Sequence, residues 1–386
     1  MGGKIGTGRK VFFISLIVLV ELLICLVGAE LFLSWRQDRI NNSNRLDPGL
    51  IQYDRVLGWK LAPGWKGTHG HHDFEVTYTI NEHGFRGDFP DLSQPKERPR
   101  IGVLGDSFTF GFGVDDGQTF VDLLQQENPD RDWLNLAVPG YSTDQEYLLM
   151  RNRGRQLAID HYLLVIYLGN DFLDNALPYP LQTQLAKPYF ELTEYGDLLL
   201  RNSPVPREPK PEEYQRTLAS ETFGDELVEH RNGWLGKLKE RHLFSRIFQS
   251  RADVDKSVTD EILKRRLTDR IQLMEALVEA IQAEAASRGT GLSVILLPGQ
   301  SLVSDPDSYS GRFQAFVGEQ LMKMCQDRDL ACLDVAWEFG PESDSPMDGN
   351  SLFHPNEGHF TEEGHKAVKN LVLDSFEEWG LRDDKL

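Results

Sequence analysis

Apolar runs of four to six residues alternate with amphipathic stretches over residues 101–379. Nearly continuous apolar runs are typical of strands that are buried on both faces of a parallel sheet. They occupy residues 101–104, 133–137, 163–168, 292–297 and 331–335. Patterns of helical period lie between and after them, at residues 119–126, 143–157, 260–288, 310–326 and 361–379. Because strands that alternate with helices form parallel sheets, the chain is predicted to adopt a three-layer α/β/α fold around five parallel strands.

A longer apolar segment lies near the N-terminus. Residues 11–33 form a run of 23 residues that only two glutamates and a few small residues interrupt, enough for a bilayer core of about 30 Å. Three basic residues precede it, which favours a cytoplasmic N-terminus and export of the remainder, but three arginines follow and weaken this bias. The rival interpretation is a signal peptide cleaved at Val27-Gly28-Ala29. Because the apolar run continues past that site to Leu33, we expect a single-pass anchor.

The same patterning divides the chain into segments. Residues 1–35 are expected to form a cytoplasmic tail and a transmembrane signal-anchor, and residues 36–98 a polar annex with short strands. Residues 99–386 are expected to form the α/β domain. Within it, residues 176–258 form a long insertion between the third and fourth predicted strands, and we interpret this insertion as a lid or small subdomain.

Two local patterns outside the main alternation predict antiparallel strands. Residues 72–87 in the annex are predicted to form a pair of strands, and residues 187–200 in the insertion a hairpin. His69, His71 and His72 lie at the start of the annex pattern. Because no acid or cysteine stands beside them at metal-ligand spacing, we interpret them as a solvated turn and predict no metal site.

Charge and cysteine content narrow the functional class. The chain has 60 acidic and 41 basic residues and a formal charge of −19, whereas nucleic-acid binding requires a basic face. We therefore predict no nucleic-acid partner. Of the three cysteines, Cys25 lies in the apolar segment, and Cys325 and Cys332 lie in the part expected to be exported. That pair is compatible with a disulfide, but we favour two small buried hydrophobic residues.

Polar residues and glycines follow successive predicted strands at the points where the strands end. Ser107 lies in a Gly-Asp-Ser turn after the first strand, Gly140 in a turn after the second and Asn170 after the third. The carboxyl ends of parallel strands share one edge of the sheet, which is the usual place for a ligand. His359, just before the last helix, adds an imidazole. Together these residues supply the parts that acyl transfer needs: a nucleophile, a base and donors for an oxyanion.

Nucleotide chemistry is excluded on motif grounds. The GxxxxGK[ST] pattern of a phosphate-binding loop is absent from the sequence. Gly111-Phe112-Gly113 lacks the third glycine of a dinucleotide site. We therefore predict no cofactor.

The four motifs resemble those of the SGNH (GDSL-like) hydrolase superfamily. The first, GDSFTFGFGV, is the most specific, and the set spans residues 101–379 with the insertion unmatched. The resemblance implies a flavodoxin-like sheet and a serine hydrolase without metal or cofactor. It implies Ser107 as the nucleophile and, through its backbone N–H, as one oxyanion-hole donor. It further implies Gly140 and Asn170 as the other donors and His359 as the general base.

The last motif departs from the family pattern. Many members carry Asp three residues before the catalytic histidine, and here that position is Asn356. Glu357, two residues before His359, is expected to orient the imidazole instead, since a held glutamate can accept the ring N–H as well as an aspartate. Asp348 is the second candidate, and a dyad without an acid is the third.

Two other histidines compete with His359 for the role of base. His354 has no acid two or three residues before it. His365 has Glu362 three residues before it, but it falls in the first turns of the last predicted helix. A histidine there is expected to pack or to cap the helix, so His359 remains the expected base.

The expected function is that of a serine esterase or acyl hydrolase. It would act on an O-acyl ester outside the cytoplasmic membrane through a Ser107 acyl-enzyme, with an acylated carbohydrate as one candidate substrate and residues 11–33 in the membrane. One alternative is an O-acyltransferase that modifies an envelope or extracellular polysaccharide. The other is a non-catalytic carbohydrate-binding relative.

Overall fold

In the computed structural model of the chain, the described residues are 7–180, 182–211, 256–339 and 349–376, together with Tyr214 and Trp379. The chain divides into two units, residues 1–44 with 212–254 and residues 45–211 with 255–386.

In the described part of the first unit, one long helix is present, α1, Thr7–Asn41. Its stretch Phe12–Ile40 is long and apolar enough to cross a membrane, a property that a signal sequence near an N-terminus shares. The large apolar side chains between Phe12 and Trp35 are exposed. Such a surface would be costly in water and is suited to lipid.

The second unit begins with five short antiparallel strands. They are β1 Arg45–Leu46, β2 Ile51–Asp54, β3 Gly58–Leu61, β4 Lys66–Gly70 and β5 Glu75–Thr79. They form a β1-β4-β5 sheet and a β2-β3 hairpin. We call residues 45–90 the annex body below.

Two expectations for this region need correction. The strand expected within residues 72–87 exists as β5, but its partner is the preceding β4, and the rest of the segment contributes only a bridge between Ile80 and Arg86. His69 is not in a solvated turn: it lies in β4, is 1% exposed and has Nδ1 2.8 Å from Tyr78 Oη. Alternation in β4 turns this ring inward, which a run of polar residues did not indicate.

Seven further strands follow in the chain. They are β6 Arg100–Leu104, β7 Asp132–Asn135, β8 His161–Tyr167, β9 Tyr189–Leu192, β10 Leu198–Arg201, β11 Gly291–Leu297 and β12 Ala331–Asp334. Five of them form a sheet in the order β12-β11-β8-β6-β7. All neighbours in it are parallel, with Leu104 beside Leu164 and Ile295 beside Val165. This is the flavodoxin-like order that the resemblance implies. From β6 the chain first adds β7 on one side and then β8 on the other, so the order of the strands reverses between β6 and β8, at the switch point of the sheet.

Ten helices accompany these strands in the described part of the second unit. They are α2 Ser107–Phe110, α3 Phe120–Glu127, α4 Thr143–Leu157, α5 Asp171–Asp174, α6 Lys256–Ser287, α7 Gln300–Ser304, α8 Tyr309–Asp327, α9 Val335–Phe339, α10 Gly349–Leu352 and α11 Glu362–Asp374. Thr361 caps α11 through a hydrogen bond from Gly364 N, as the sequence predicts. Thr119 forms a full capping box on α3.

Alternate residues of the central strands enter two separate cores. Leu164 and Ile166 of β8 pack with α4, α6 and α8, whereas Leu163 and Val165 of the same strand pack with α3 and α11. Successive side chains of a strand point to opposite faces, so an unbroken apolar strand must be covered on both sides. The three-layer α/β/α architecture follows from this arrangement.

The remaining long-range features concern the insertion and the cysteines. Strands β9 and β10 form the predicted antiparallel hairpin, with Leu198 opposite Leu192. The rest of the predicted lid, residues 212–258, lies largely outside the described residues. Cys325 at the end of α8 and Cys332 in β12 form a disulfide, with 6.2 Å between their Cα atoms.

Candidate active site

The candidate nucleophile lies where β6 runs directly into α2. Ser107 is the first residue of α2, and Asp106 caps that helix by accepting a 2.9 Å hydrogen bond from Phe108 N. A Cβ on Gly105 would overlap the Thr109 side chain, so the turn has room only for glycine. This tight strand-to-helix turn holds Ser107 at the edge of the sheet beside the β6–β8 reversal, where α/β folds place their ligand crevice.

A histidine and a glutamate from the loop before α11 reach this serine. His359 Nε2 lies 2.7 Å from Ser107 Oγ. His359 Nδ1 lies 2.8 Å from each carboxylate oxygen of Glu357. With the proton on Nδ1, the ring donates to Glu357 and its Nε2 accepts from the Ser107 hydroxyl. The three side chains therefore form one continuous hydrogen-bonded chain.

Glu357 is held as an anion beside the imidazole. Burial acts to raise its pKa, but the hydrogen bonds from His359 and the charge of that ring outweigh burial and lower the pKa to about 2. Its Oε2 also accepts a 3.0 Å hydrogen bond from His359 N. The imidazole itself packs beside Phe108 and Phe112, at ring-centroid distances of 4.5 and 5.5 Å. These contacts fix the plane of the ring.

The other candidates for base and acid lie elsewhere. His354 Nε2 is 3.0 Å from the carbonyl oxygen of Gly113. His365 is buried in the core, where Nδ1 accepts a hydrogen bond from Phe120 N. Burial lowers the pKa of His365 to about 3 and also lowers that of His354. Asp348 lies outside the described residues.

The candidate oxyanion donors come from the next two strands. Gly140 has φ +80° in the turn after β7, a conformation that favours glycine. Asn170 caps α5 after β8, and its Nδ2 donates a 2.7 Å hydrogen bond to Asp174 Oδ2. That bond fixes which end of the amide is the donor and leaves its second N–H for another acceptor. Ser107, at the start of α2, has a backbone N–H that its own helix does not use.

Sequence reasoning missed a set of annex side chains that hold residues 110–114, at the end of α2 and just after it. We call residues 105–114 the nucleophile turn. The guanidinium of Arg86 is buried and donates to the carbonyl oxygens of Phe110, Gly111 and Val114, at 2.9, 2.6 and 2.7 Å. Tyr78 Oη accepts from Gly113 N at 2.9 Å. We call these contacts the annex clamp. Nothing in the local pattern around Arg86 distinguishes it from a surface arginine, because its partners lie about 25 residues away.

Three buried carboxyl groups interact electrostatically with one another, and one of them, Asp106, is next to Ser107. Burial raises the pKa of Asp106 to about 6, and it raises those of Glu146 and Asp171 well above the usual range. The charges of these groups on one another add to the effect for Glu146 and Asp171. Among the described residues, no group of three or more His, Cys, Asp or Glu side chains is arranged to hold a metal ion.

A parallel α/β/α sheet with serine, histidine and glutamate joined by hydrogen bonds at its switch point defines a class, the α/β hydrolytic enzymes that act on acyl groups. Residues 103–367 match the model of the GDSL-like Lipase/Acylhydrolase family. The chain belongs to this family and is an ester hydrolase. A search of curated protein sequences gave no match.

Solved structures of similar fold come from several bacteria. One is a catalytic mutant of Axe2, an acetylxylan esterase from Geobacillus stearothermophilus, with 10% identity, a TM-score of 0.39 and coverage of 74% of this chain and 97% of that chain. The lipase/acylhydrolase from Enterococcus faecalis has 12% identity, a TM-score of 0.36 and coverage of 72% and 96%. The esterase EstA from Pseudoalteromonas sp. has 10% identity, a TM-score of 0.36 and coverage of 72% and 97%. At such identity the similarity concerns the fold alone.

Proposed function

We propose that this protein hydrolyses an O-acyl ester through an acyl-enzyme on Ser107. The observation that carries the proposal is the 2.7 Å hydrogen bond between Ser107 Oγ and His359 Nε2, continued by the bonds from Nδ1 to Glu357. A nucleophile, a base and an acid that orients the base are the minimal parts of this chemistry, and their contact in the resting enzyme is the geometric criterion for it.

In the first half-reaction, Ser107 Oγ attacks the ester carbonyl carbon while His359 Nε2 takes the hydroxyl proton. The tetrahedral intermediate then collapses, the bond from carbon to the alcohol oxygen breaks, and Nε2–H returns the proton to the leaving alcohol. In the second half, water attacks the acyl carbon while Nε2 takes one of its protons. The bond from that carbon to Ser107 Oγ then breaks, Nε2–H returns the proton to Oγ, and the carboxylic acid leaves. Glu357, ionised because its pKa is near 2, stabilises the imidazolium in both halves.

The negative oxygen of the intermediate needs donors that are fixed before the reaction. We assign this role to the backbone N–H groups of Ser107 and Gly140 and to the free amide N–H of Asn170. Preorganised donors cost no reorganisation as charge develops, and loss of one such donor reduces kcat by about 10²–10³-fold in serine hydrolases. The Asn170–Asp174 hydrogen bond of 2.7 Å supports a fixed amide.

The site of action is proposed to be outside the cytoplasmic membrane, with an acylated carbohydrate as substrate class. Helix α1 supports anchoring, and the Cys325–Cys332 disulfide fits an oxidising compartment. We retain residues 1–35 as the anchor, 36–98 as the annex and 99–386 as the catalytic domain with 176–258 inserted.

The test compares purified full-length variants on an aryl acetate. We expect Ser107→Ala to reduce kcat by about 10³-fold or more and to abolish labelling by a fluorophosphonate, and Glu357→Gln to reduce kcat by about 10²-fold or more. Ser293→Ala is a matched control. Ser293 is buried in the same sheet, and its Oγ also forms a hydrogen bond with a histidine, 3.0 Å from His161 Nε2. Unchanged hydrolysis by Ser107→Ala would overturn the proposal.

A second experiment separates hydrolysis from acyl transfer. Free acid should remain the main product when a sugar acceptor is added; an acyl-sugar as the main product would make the protein a transferase.

A further inference from the structure

The loop that carries Glu357 and His359 is held by a carboxylate from the annex body. Asp73 Oδ2 accepts hydrogen bonds from Asn356 N at 2.8 Å and from Glu357 N at 3.1 Å. Asp73 Oδ1 accepts a third from Asn356 Nδ2 at 2.6 Å. One side chain therefore fixes two successive peptide groups and an amide, immediately before the proposed catalytic residues.

Asp73 is suited to this task because it remains charged. Its side chain is 5% exposed, and its nearest cationic candidate is His71, with Nδ1 3.8 Å from Oδ2. Burial acts to raise its pKa, but the hydrogen bonds from Asn356 and Glu357 outweigh burial and lower the pKa. Hydrogen bonds to an ionised carboxylate are roughly twice as strong as neutral ones, so Asp73 holds the loop firmly.

The backbone between the residues that bond Asp73 and the His359 imidazole has little freedom to compensate for a displacement. Gly358 has φ +89°, and it joins Glu357 to His359 in a tight turn. Two backbone bonds close the loop, from His354 N to His359 O at 2.8 Å and from Gly358 N to His354 O at 2.9 Å. Neither of them involves the backbone N–H of Glu357. Among the described contacts, Asp73 alone bonds the backbone N–H of the residue that orients His359.

We propose that Asp73 is a positioning residue, which fixes the Glu357 backbone so that its carboxylate meets His359 Nδ1. The inference rests on the proposed function. It also explains the amide at position 356: where many relatives have an acid directed at the histidine, Asn356 donates to Asp73 instead. A carboxylate at 356 would face Asp73 across a 2.6 Å contact, and two anions cannot occupy that distance without large repulsion.

The first experiment measures kcat, KM and the rate of fluorophosphonate labelling for position 73. We expect Asp73→Ala to lower kcat and labelling about 10- to 100-fold with KM within twofold, because a displacement of about 1 Å costs this much in a preorganised site. Asp73→Asn keeps an acceptor for both peptide N–H groups and should stay within about threefold of the wild type. Asp47→Ala is the matched control, since Asp47 accepts a 2.7 Å bond from Thr68 N within the annex body, on β4.

The second experiment uses position 356 and does not depend on the stability of Asp73→Ala. Asn356→Asp should lower kcat about tenfold or more, although it restores the residue common in relatives. The exchange Asp73→Asn with Asn356→Asp should return kcat to within about threefold of the wild type, a coupling that a double-mutant cycle measures. Wild-type or higher kcat in Asn356→Asp alone, or no rescue by the exchange, would overturn the inference.

Failure of this inference is distinguishable from failure of the proposed function. If Ser107 is labelled and required for hydrolysis but Asp73→Ala keeps wild-type kcat, only the positioning role is wrong. An equal fall in kcat for Asp47→Ala would reduce Asp73 to a structural role. If Ser107→Ala keeps full activity, the proposed function itself is wrong.

Discussion

Single carboxyl groups near Ser107 have pKa values that burial raises above the usual range. Asp106 is 3% exposed and lies next to Ser107, and its pKa is raised to about 6 by burial. Both carboxylate oxygens of Glu146 and one of Asp171 are buried without a hydrogen-bond partner among the described residues. Such groups keep their proton to a higher pH than exposed carboxyl groups do, because a buried unpaired anion is costly.

We predict that Asp106→Asn flattens the pH dependence of stability. A folded-state pKa raised from 3.8 to about 6 means that the stabilising protonated form is fully present below pH 3.8 and is lost as the pH rises through 6. The wild type should therefore lose up to about 3 kcal/mol more than the variant between pH 4 and pH 7. Asparagine still accepts from Phe108 N, so the cap remains. Urea unfolding in detergent at both pH values checks this, and parallel curves for the two proteins would contradict it.

The residue types of the candidate site could be predicted, but their distances could not. Ser107, Gly140 and Asn170 follow strand ends, and the order of the strands brings these ends together. Glu357 and His359 are close in sequence, so their contact is local. Asp73 is different: its partner Asn356 is 283 residues away. A contact over that separation depends on how the annex body packs, and no short-range pattern encodes it.

At the scale of elements, the annex clamp restrains residues 110–114, which follow Ser107. Arg86 donates to three carbonyl oxygens within residues 110–114, and its guanidinium lies over the Tyr78 ring at 4.5 Å. Residues 110–114 contain two glycines with positive φ. Without the guanidinium, the buried carbonyls would lack donors and the turn would have several accessible conformations.

We predict that Arg86→Met lowers stability by about 3 kcal/mol and kcat by about tenfold, because the lost hydrogen bonds leave buried acceptors unpaired beside Ser107. Arg100→Met is the control, since Arg100 is also buried and donates to a carbonyl, Leu157 O at 3.1 Å, but at the start of β6. It should lose stability and keep its kcat. Steady-state kinetics and urea unfolding of both variants decide. Equal kcat losses would show that the effect is one of general stability.

Element prediction succeeded where burial dominates and failed where tertiary contacts decide. Helix α4 and the five central strands lie within one or two residues of the predicted bounds, because period and apolar character are strong signals there. The last helix ends at Asp374 rather than at 379. In the annex, strands of two to five residues have too few positions to establish a period, so the partner of β5 was predicted wrongly.

At the scale of the whole molecule, the distribution of apolar surface predicts how the protein partitions. Within the part of the chain that the structure describes, the apolar segments are buried in two cores except along α1, where they are exposed. We predict that the full 44.0 kDa chain stays with membranes through washes in high salt and alkaline carbonate. Fractionation followed by intact-mass measurement checks this. Release into the soluble fraction with a new N-terminus after Ala29 would show a cleaved signal peptide instead.

The hydrogen bonds between Asp73 and Asn356 also have a consequence for the order in which the proposed site is completed. A ribosome completes the annex body early, but Asn356, the partner of Asp73, is 283 residues further along the chain. Closing so long a loop is slow, and we expect it to follow assembly of the sheet between them. Under the proposed mechanism, a nascent or prematurely terminated chain has Ser107 without its base. We therefore expect a chain that ends before residue 359 to be inert in ester hydrolysis rather than partly active.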